Sequence, residues 1–125
     1  MNRPVSCPAG EVLINEGAND TRLFVLESGT LEIRKGDKLV CEIDTPNSII
    51  GEISVVLEEV RSCSVVAKTD CNLILVGNSI NEIIDSSPRL TKLILQELAE
   101  RLVQTTQNFA DANDILLRKG MDPND

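Results

Sequence analysis

The stretch Gly51–Ala67 reads G-E-I-S-V-V-L-E-E-V-R-S-C-S-V-V-A, and the rest of the chain is arranged around it. It opens on a Gly-Glu pair, passes through an apolar run long enough for one or two helical turns, and delivers Arg61 and Ser62 into a β-branched strand. That grouping suits a small anionic ligand that also carries a hydroxyl. Gly51 has no Cβ, so the backbone can come close. The first turn of the following helix leaves N–H groups unpaired, and together with the helix dipole these favour an anion. Arg61 offers a planar fork of donors matched to phosphate oxygens. Glu52 repels a phosphate but accepts hydrogen bonds from a sugar hydroxyl. Taken singly, a Gly-Glu pair is a surface turn and an Arg at a strand start is a solvated side chain. It is their order and spacing that carry the signal.

Outward from this stretch, composition bounds the answer. A chain of 125 residues, 42% of them hydrophobic, suits one domain with a real core. Twelve Lys and Arg against twenty Asp and Glu leave a net charge of −8, which argues against direct nucleic-acid binding because phosphate neutralisation dominates it. One phosphate held in a pocket by one local Arg remains compatible. The four cysteines, Cys7, Cys41, Cys63 and Cys71, form no C-x-x-C pair, and histidine is absent, so no metal centre is expected. Cys63 and Cys71 lie in apolar, strand-like runs, where a reduced thiol is expected to act as a small core hydrophobe. With no signal peptide and no apolar run near 18 residues, a reducing cytoplasmic home without membrane insertion is expected.

On the N-terminal side, Pro4 and Pro8 suggest an irregular lead-in over residues 1–9. Short β-branched runs follow at 12–14, 23–26, 30–33 and 39–43, separated by the turn-forming stretches 15–20, 27–29 and 35–37. Strands at this spacing predict an antiparallel sandwich or barrel. Leu31 and Ile33 alternate with Glu32 and Arg34, as on a half-buried strand. After Val76 the period changes: a short helix is expected with Asn78 as its cap, and Ser87-Pro88 supplies a second cap and first turn. No Gly or Pro then intervenes until Gly120, so one long helix is expected over 88–120, with 121–125 a tail or linker. Leu98, Leu102, Thr105, Phe109, Ala112 and Leu116 repeat along it in steps of 4, 3, 4, 3 and 4, a heptad seam that predicts a parallel homodimer. The competing reading is a stripe packed on the helix's own barrel.

The Gly51–Ala67 segment resembles the phosphate-binding cassette of the cyclic nucleotide-binding domain family, which includes the catabolite activator protein and the regulatory subunits of cAMP-dependent protein kinase. P-A-G-E-V-L-I-N-E-G at 8–17, L-F-V-L-E-S-G-T-L-E-I at 23–33 and A-K-T-D-C-N-L-I-L-V at 67–76 are similar to the family as well, so the resemblance covers most of the chain. It implies a mainly β fold with C-terminal helices: an antiparallel, jelly-roll-like β-roll (double-stranded β-helix) over 1–87 with a short phosphate-binding helix, then the long helix. It also implies roles. Glu52, beside Gly51, accepts from the ribose 2′-OH. Arg61 pairs with the exocyclic phosphate oxygens, and the backbone N–H groups of Ile53, Ser54 and Ser62 complete the cradle. Ser62 and Cys63 lie beside the phosphate and the base. A-E-R-L-V-Q-T-T-Q at 99–107 is similar to a dimer helix of the family on which a Thr-Ser pair contacts adenine, and Thr105 and Thr106 fall on that pair. The alternative for Thr105 is a bond back to its own helix carbonyls. Where the family carries a glycine just before the cassette, this chain has Asn47, which also tolerates a left-handed backbone. Val60 stands where some members have Pro.

The expected function is therefore a sensor of a cyclic nucleotide, cAMP in preference to cGMP, with no cofactor and no enzymatic activity. Ligand binding would shift the juxtaposition of barrel and C-terminal helix. The competing expectation is a dimerisation module of the same fold with a degenerate site. A metal-using barrel enzyme is disfavoured by the missing histidines and by the lack of a base beside any Ser or Cys. No output segment is visible after Gly120; the resemblance implies that such a domain regulates something attached to it or a separate effector, and both a stand-alone receptor and a regulatory piece of a longer protein fit the sequence. Replacing Arg61 with alanine is expected to nearly abolish binding without unfolding the domain.

Overall fold

The computed structural model describes the backbone of residues 2–118 and the side chains up to residue 111. Its strands are β1 (Arg3–Cys7), β2 (Val12–Ile14), β3 (Leu23–Ser28), β4 (Leu31–Lys35), β5 (Lys38–Ile43), β6 (Ile49–Ile50), β7 (Ser64–Ala67) and β8 (Cys71–Gly77), and its helices are α1 (Glu52–Leu57), α2 (Ile80–Ser86) and α3 (Pro88–Arg118). The strands form two antiparallel sheets, ordered β1-β8-β3-β6 and β2-β7-β4-β5. Between them lies one apolar core, including Ile14, Phe24, Leu26, Leu31, Ile50, Val65, Leu73 and Leu75. The fold is thus mainly β with C-terminal helices.

Local chemistry explains the elements. Leu31 is fully buried and Ile33 packs against the core, while Glu32 and Arg34 pair with each other at 3.0 Å, as their alternation predicts. Asn47 adopts the left-handed backbone with φ 70°. The turn it makes is sewn to β3 by Asn47 N–H donating to Leu26 O at 2.8 Å and Leu26 N–H donating to Ser48 O at 2.9 Å. That brings β6, and with it Gly51, against β3.

Two expectations need correction. Residues 3–7 are not an irregular lead-in but strand β1, paired along β8 from Arg3 opposite Leu75 to Cys7 opposite Cys71. Pro4 is tolerated because β1 is an edge strand, and an edge strand has one side on which a missing N–H breaks no ladder. The cap of α2 is Ser79 rather than Asn78: its side chain accepts from Glu82 N–H at 3.2 Å. S-I-N-E at 79–82 has the Ser-x-x-Glu pattern of a capping box. At the next helix Ser87 Oγ accepts from Leu90 N–H at 3.2 Å, and Pro88 opens α3 as expected.

Contacts divide the chain into two compact units, the first Met1–Leu90 and the second beginning at Thr91. In the second unit the heptad positions Leu102 and Phe109 are 68% and 66% exposed, and Leu98 is half-buried. Pairs four residues apart line the helix: Glu97 with Arg101 at 3.3 Å and Gln104 with Asn108 at 3.0 Å. The side chains of Ala112 and Leu116, the stop at Gly120 and the tail 121–125 lie outside the described residues.

Candidate functional site

The site is built where β6 hands the chain to α1. Gly51 caps α1 with φ 94°, a left-handed conformation suited to glycine, and a Cβ there would collide with Arg61 Nη1 and stand 3.2 Å from its Cζ. Glu52 begins the helix and is 3% exposed, a carboxylate placed where the dipole of the helix favours it. The helix ends on Glu58, itself left-handed at φ 55°, with its N–H on Ser54 O. Val60 then leads outward, exposed, before Arg61 turns in.

Arg61 is 3% exposed, which is rare for a guanidinium and requires partners. Its Nη1 donates to Gly51 O at 2.8 Å and to Ser54 Oγ at 2.6 Å. Its Nη2 donates to Arg22 O and to Asp20 Oδ1, the latter at 3.4 Å. Its backbone is gripped too: Gly17 N–H donates to Arg61 O at 2.7 Å, and Arg61 N–H donates to Ala18 O at 3.0 Å. Only Nε has no hydrogen-bond partner among the described residues. Burial pushes the guanidinium down from its ordinary pKa, opposed by the Asp20 and Glu52 carboxylates.

The chain thus brings Gly51, Glu52, Ser54 and Arg61 together within one cradle. Ile53 is half-exposed on the first turn of α1, where N–H groups have no intrahelical acceptor. Ser62 is exposed and its carbonyl accepts from Lys35 Nζ at 2.7 Å, while Cys63 is half-buried just before β7. Thr105 and Thr106 are exposed on α3 in the second unit, and Thr105 Oγ1 donates to Arg101 O at 2.9 Å, the back-bond named as the alternative for it.

The sequence reading missed what orients Arg61. It took 15–20 as turn chemistry only, yet this loop supplies Gly17, Ala18 and Asp20 to the arginine. Asp20 also pairs with Arg22 at 2.7 Å, and Arg22 lies over the Phe24 ring at 5.1 Å. The short Asp-x-Arg spacing was a readable sign of a local pair, but nothing local tied it to Arg61, 41 residues away. Burial pushes the Asp20 carboxyl up. Hydrogen bonds from the Arg22 side chain and backbone, with the charges of Arg22 and Arg61, outweigh that and hold it at about 2 against an ordinary 3.8.

The sign of the pH effect follows. A carboxyl depressed on folding contributes stability that is present above its unfolded pKa and is lost as pH falls from about 4 through about 2. Allowing for the half-exposed Arg22, the loss is roughly 1–2 kcal/mol. Urea denaturation at pH 6 and at pH 2.5 should show Asp20→Asn less stable than the parent at pH 6 but losing less on acidification. Equal acid losses in the two proteins would remove Asp20 from the account.

Two antiparallel sheets around one core, with a buried arginine held against a Gly-Glu turn, define a β-roll. A family model described as "Cyclic nucleotide-binding domain" matches residues 4–86, and the chain belongs to that family. It is 27% identical over 114 residues to a CRP-like cAMP-activated global transcriptional regulator of Mycobacterium tuberculosis, covering 87% of this chain and 51% of that one. The chain therefore spans about half the length of that relative. Among solved structures it is similar to the Thermus thermophilus catabolite activator protein, with TM-score 0.69, 22% identity, and coverage of 92% of this chain and 55% of that one. It is also similar to a structure described under a cyclic-GMP-dependent signalling pathway of bacterial phytopathogenesis, with TM-score 0.67, 24% identity, and coverage of 82% and 85%. The last two likenesses are of fold. No helix among the described residues is long and apolar enough to cross a membrane.

Proposed function

We propose that this regulatory domain binds a purine cyclic nucleotide, cAMP in preference to cGMP, and answers by moving its C-terminal helix. The observation that carries the reading is Arg61 Nε: a buried cationic donor with no partner among the described residues. Leaving such a donor unmet costs about 1–3 kcal/mol, which an anionic oxygen would recover. In the proposed complex the ring phosphate meets Arg61 and the N–H groups of Ile53, Ser54 and Ser62. Glu52, beside Gly51, takes the ribose hydroxyl, and the base lies by Cys63 and the Thr105–Thr106 pair. Phe24 is fully buried in the core, so aromatic stacking on the base is not available from it.

The heptad positions Leu98, Leu102, Thr105, Phe109 and Leu116 are proposed as the seam of a homodimer. Exposure of Leu102 and Phe109 supports it, since unpartnered large apolar side chains are a standing invitation to association. A ligand that touches both barrel and helix would bind best where the two are correctly juxtaposed, and so bias that population. Cytoplasmic residence, the absence of catalytic activity and an attached or separate effector belong to the same proposal.

A second reading has its own support. Thr105 is already satisfied by Arg101 O, and both Nη atoms of Arg61 are satisfied by the protein. That is what a dimerisation module with an idle site would show. Calorimetric titration of the chain with cAMP and, in parallel, cGMP separates the readings. Tight cAMP and weak cGMP binding is the expected result. Equal binding would keep Arg61 and Glu52 but remove base recognition by Thr105 and Thr106. A folded dimer that binds neither would establish the second reading.

A further inference from the structure

We propose that Cys7 and Cys71 form a dithiol–disulfide site which, when oxidised, fastens the edge strand β1 to the interior of its sheet. The two residues stand directly opposite each other at the end of the β1–β8 ladder. Opposite residues of an antiparallel pair project to the same face with Cβ atoms about 4.5–5.5 Å apart, close to the separation a disulfide bridges. Both side chains are 2% exposed and belong to the same core cluster.

Cys7 Sγ lies 3.6 Å from Glu11 O, and Cys71 Sγ lies 3.3 Å from Thr30 O. Room for the Cys71 sulfur depends on Gly29, where a Cβ would approach that Sγ to 2.7 Å. The other two thiols have no such counterpart: Cys41 is exposed on β5, in the other sheet, opposite Ile33, and Cys63 lies outside the strands, just before β7.

Burial raises the pKa of both thiols, so the closed strand keeps them unreactive. β1 has a neighbour on one side only, and its opening would release Cys7 first. The oxidant is a low-molecular-weight disulfide. The Cys7 thiolate attacks one of its sulfurs, forming a mixed disulfide and expelling one thiolate, which takes up the Cys7 proton. The Cys71 thiolate then attacks the Cys7 sulfur, forming the protein disulfide and expelling a second thiolate, which takes up the Cys71 proton. Two protein thiols are oxidised and one external disulfide is reduced to two thiols.

The test uses the full chain carrying Cys41→Ser and Cys63→Ser, incubated with glutathione disulfide in urea just below the unfolding transition, where β1 opens. Both remaining thiols should disappear together, a Cys7–Cys71 linked peptide should be recovered, and the denaturation midpoint should rise and return on adding dithiothreitol. Peptide mapping of the unsubstituted chain under the same conditions should show the same linkage. A persistent glutathione adduct on one cysteine, a linkage to Cys41 or Cys63 in the unsubstituted chain, or no loss of thiols would overturn the proposal.

Discussion

Arg61→Ala should lose cyclic nucleotide binding and a substantial part of the fold's stability together. Truncating one partner of a desolvated charge pair costs about 2–5 kcal/mol, a weakening of roughly 30-fold to several-thousand-fold. The structure revises the expectation that the domain is left otherwise intact. Arg61 is buried and satisfies Gly51 O, Ser54 Oγ, Arg22 O and Asp20, so its removal strands four acceptors around a new cavity. A further cost of about 2–4 kcal/mol in unfolding free energy is expected. Arg61→Lys helps to divide the two effects. It keeps the charge near Asp20 and recovers part of the stability, but it lacks the planar fork and should still bind weakly. Titration calorimetry under conditions where each variant is folded, with urea denaturation alongside, gives both quantities. A folded Arg61→Ala that bound cAMP as tightly as the parent would refute the pocket assignment.

Gly51→Ala should be the most damaging single-methyl change around the buried Arg61. At φ 94° an L-residue is strained, and here the added Cβ also meets Arg61 Nη1, with Arg61 Cζ at 3.2 Å and Arg22 O at 3.3 Å. The arginine cannot swing aside, because both its Nη atoms are committed and its backbone is bound by Gly17 and Ala18. Strain of about 1–2 kcal/mol is thus joined by overpacking of about 1–3 kcal/mol. Gly10→Ala is the matched control: φ is 88°, but nothing lies within 4 Å of its Cβ position, so only the strain should appear. Urea midpoints for the two variants should differ clearly, with Gly51→Ala the lower. Equal midpoints would mean that the close approach of Gly51 and Arg61 is not a constraint in solution.

What could be read from the chain was whatever depends on neighbours in sequence. Alternation at Leu31–Arg34, turn residues at regular intervals, Ser87-Pro88 before a long Gly- and Pro-free run, and the Gly-Glu…Arg-Ser spacing each express a local period or a local cap. The sheet architecture, α1 and the start of α3 followed from them, and the left-handed Asn47 from the family's glycine at its position. Two local signals point the wrong way. Proline in 1–9 suggests an irregular segment, although an edge strand tolerates it, and Asn78 competes with Ser79-x-x-Glu82 for the cap of α2.

The sequence by itself determined that this chain forms a β-roll and that Glu52 and Arg61 belong to one short cassette. Only the tertiary structure decided how Arg61 is held. Its partners Asp20 and Arg22 reach it from the loop and strand start before β3, and Gly17 and Ala18 grip its backbone, across about forty residues of chain. That Cys7 stands opposite Cys71 was decided in the same way, by the register of β1 on β8. Such contacts follow from which strands lie side by side, and no local periodicity encodes that. A buried guanidinium must be satisfied by whatever donors and acceptors the packed sheets bring to it, so its environment exists only once they have closed.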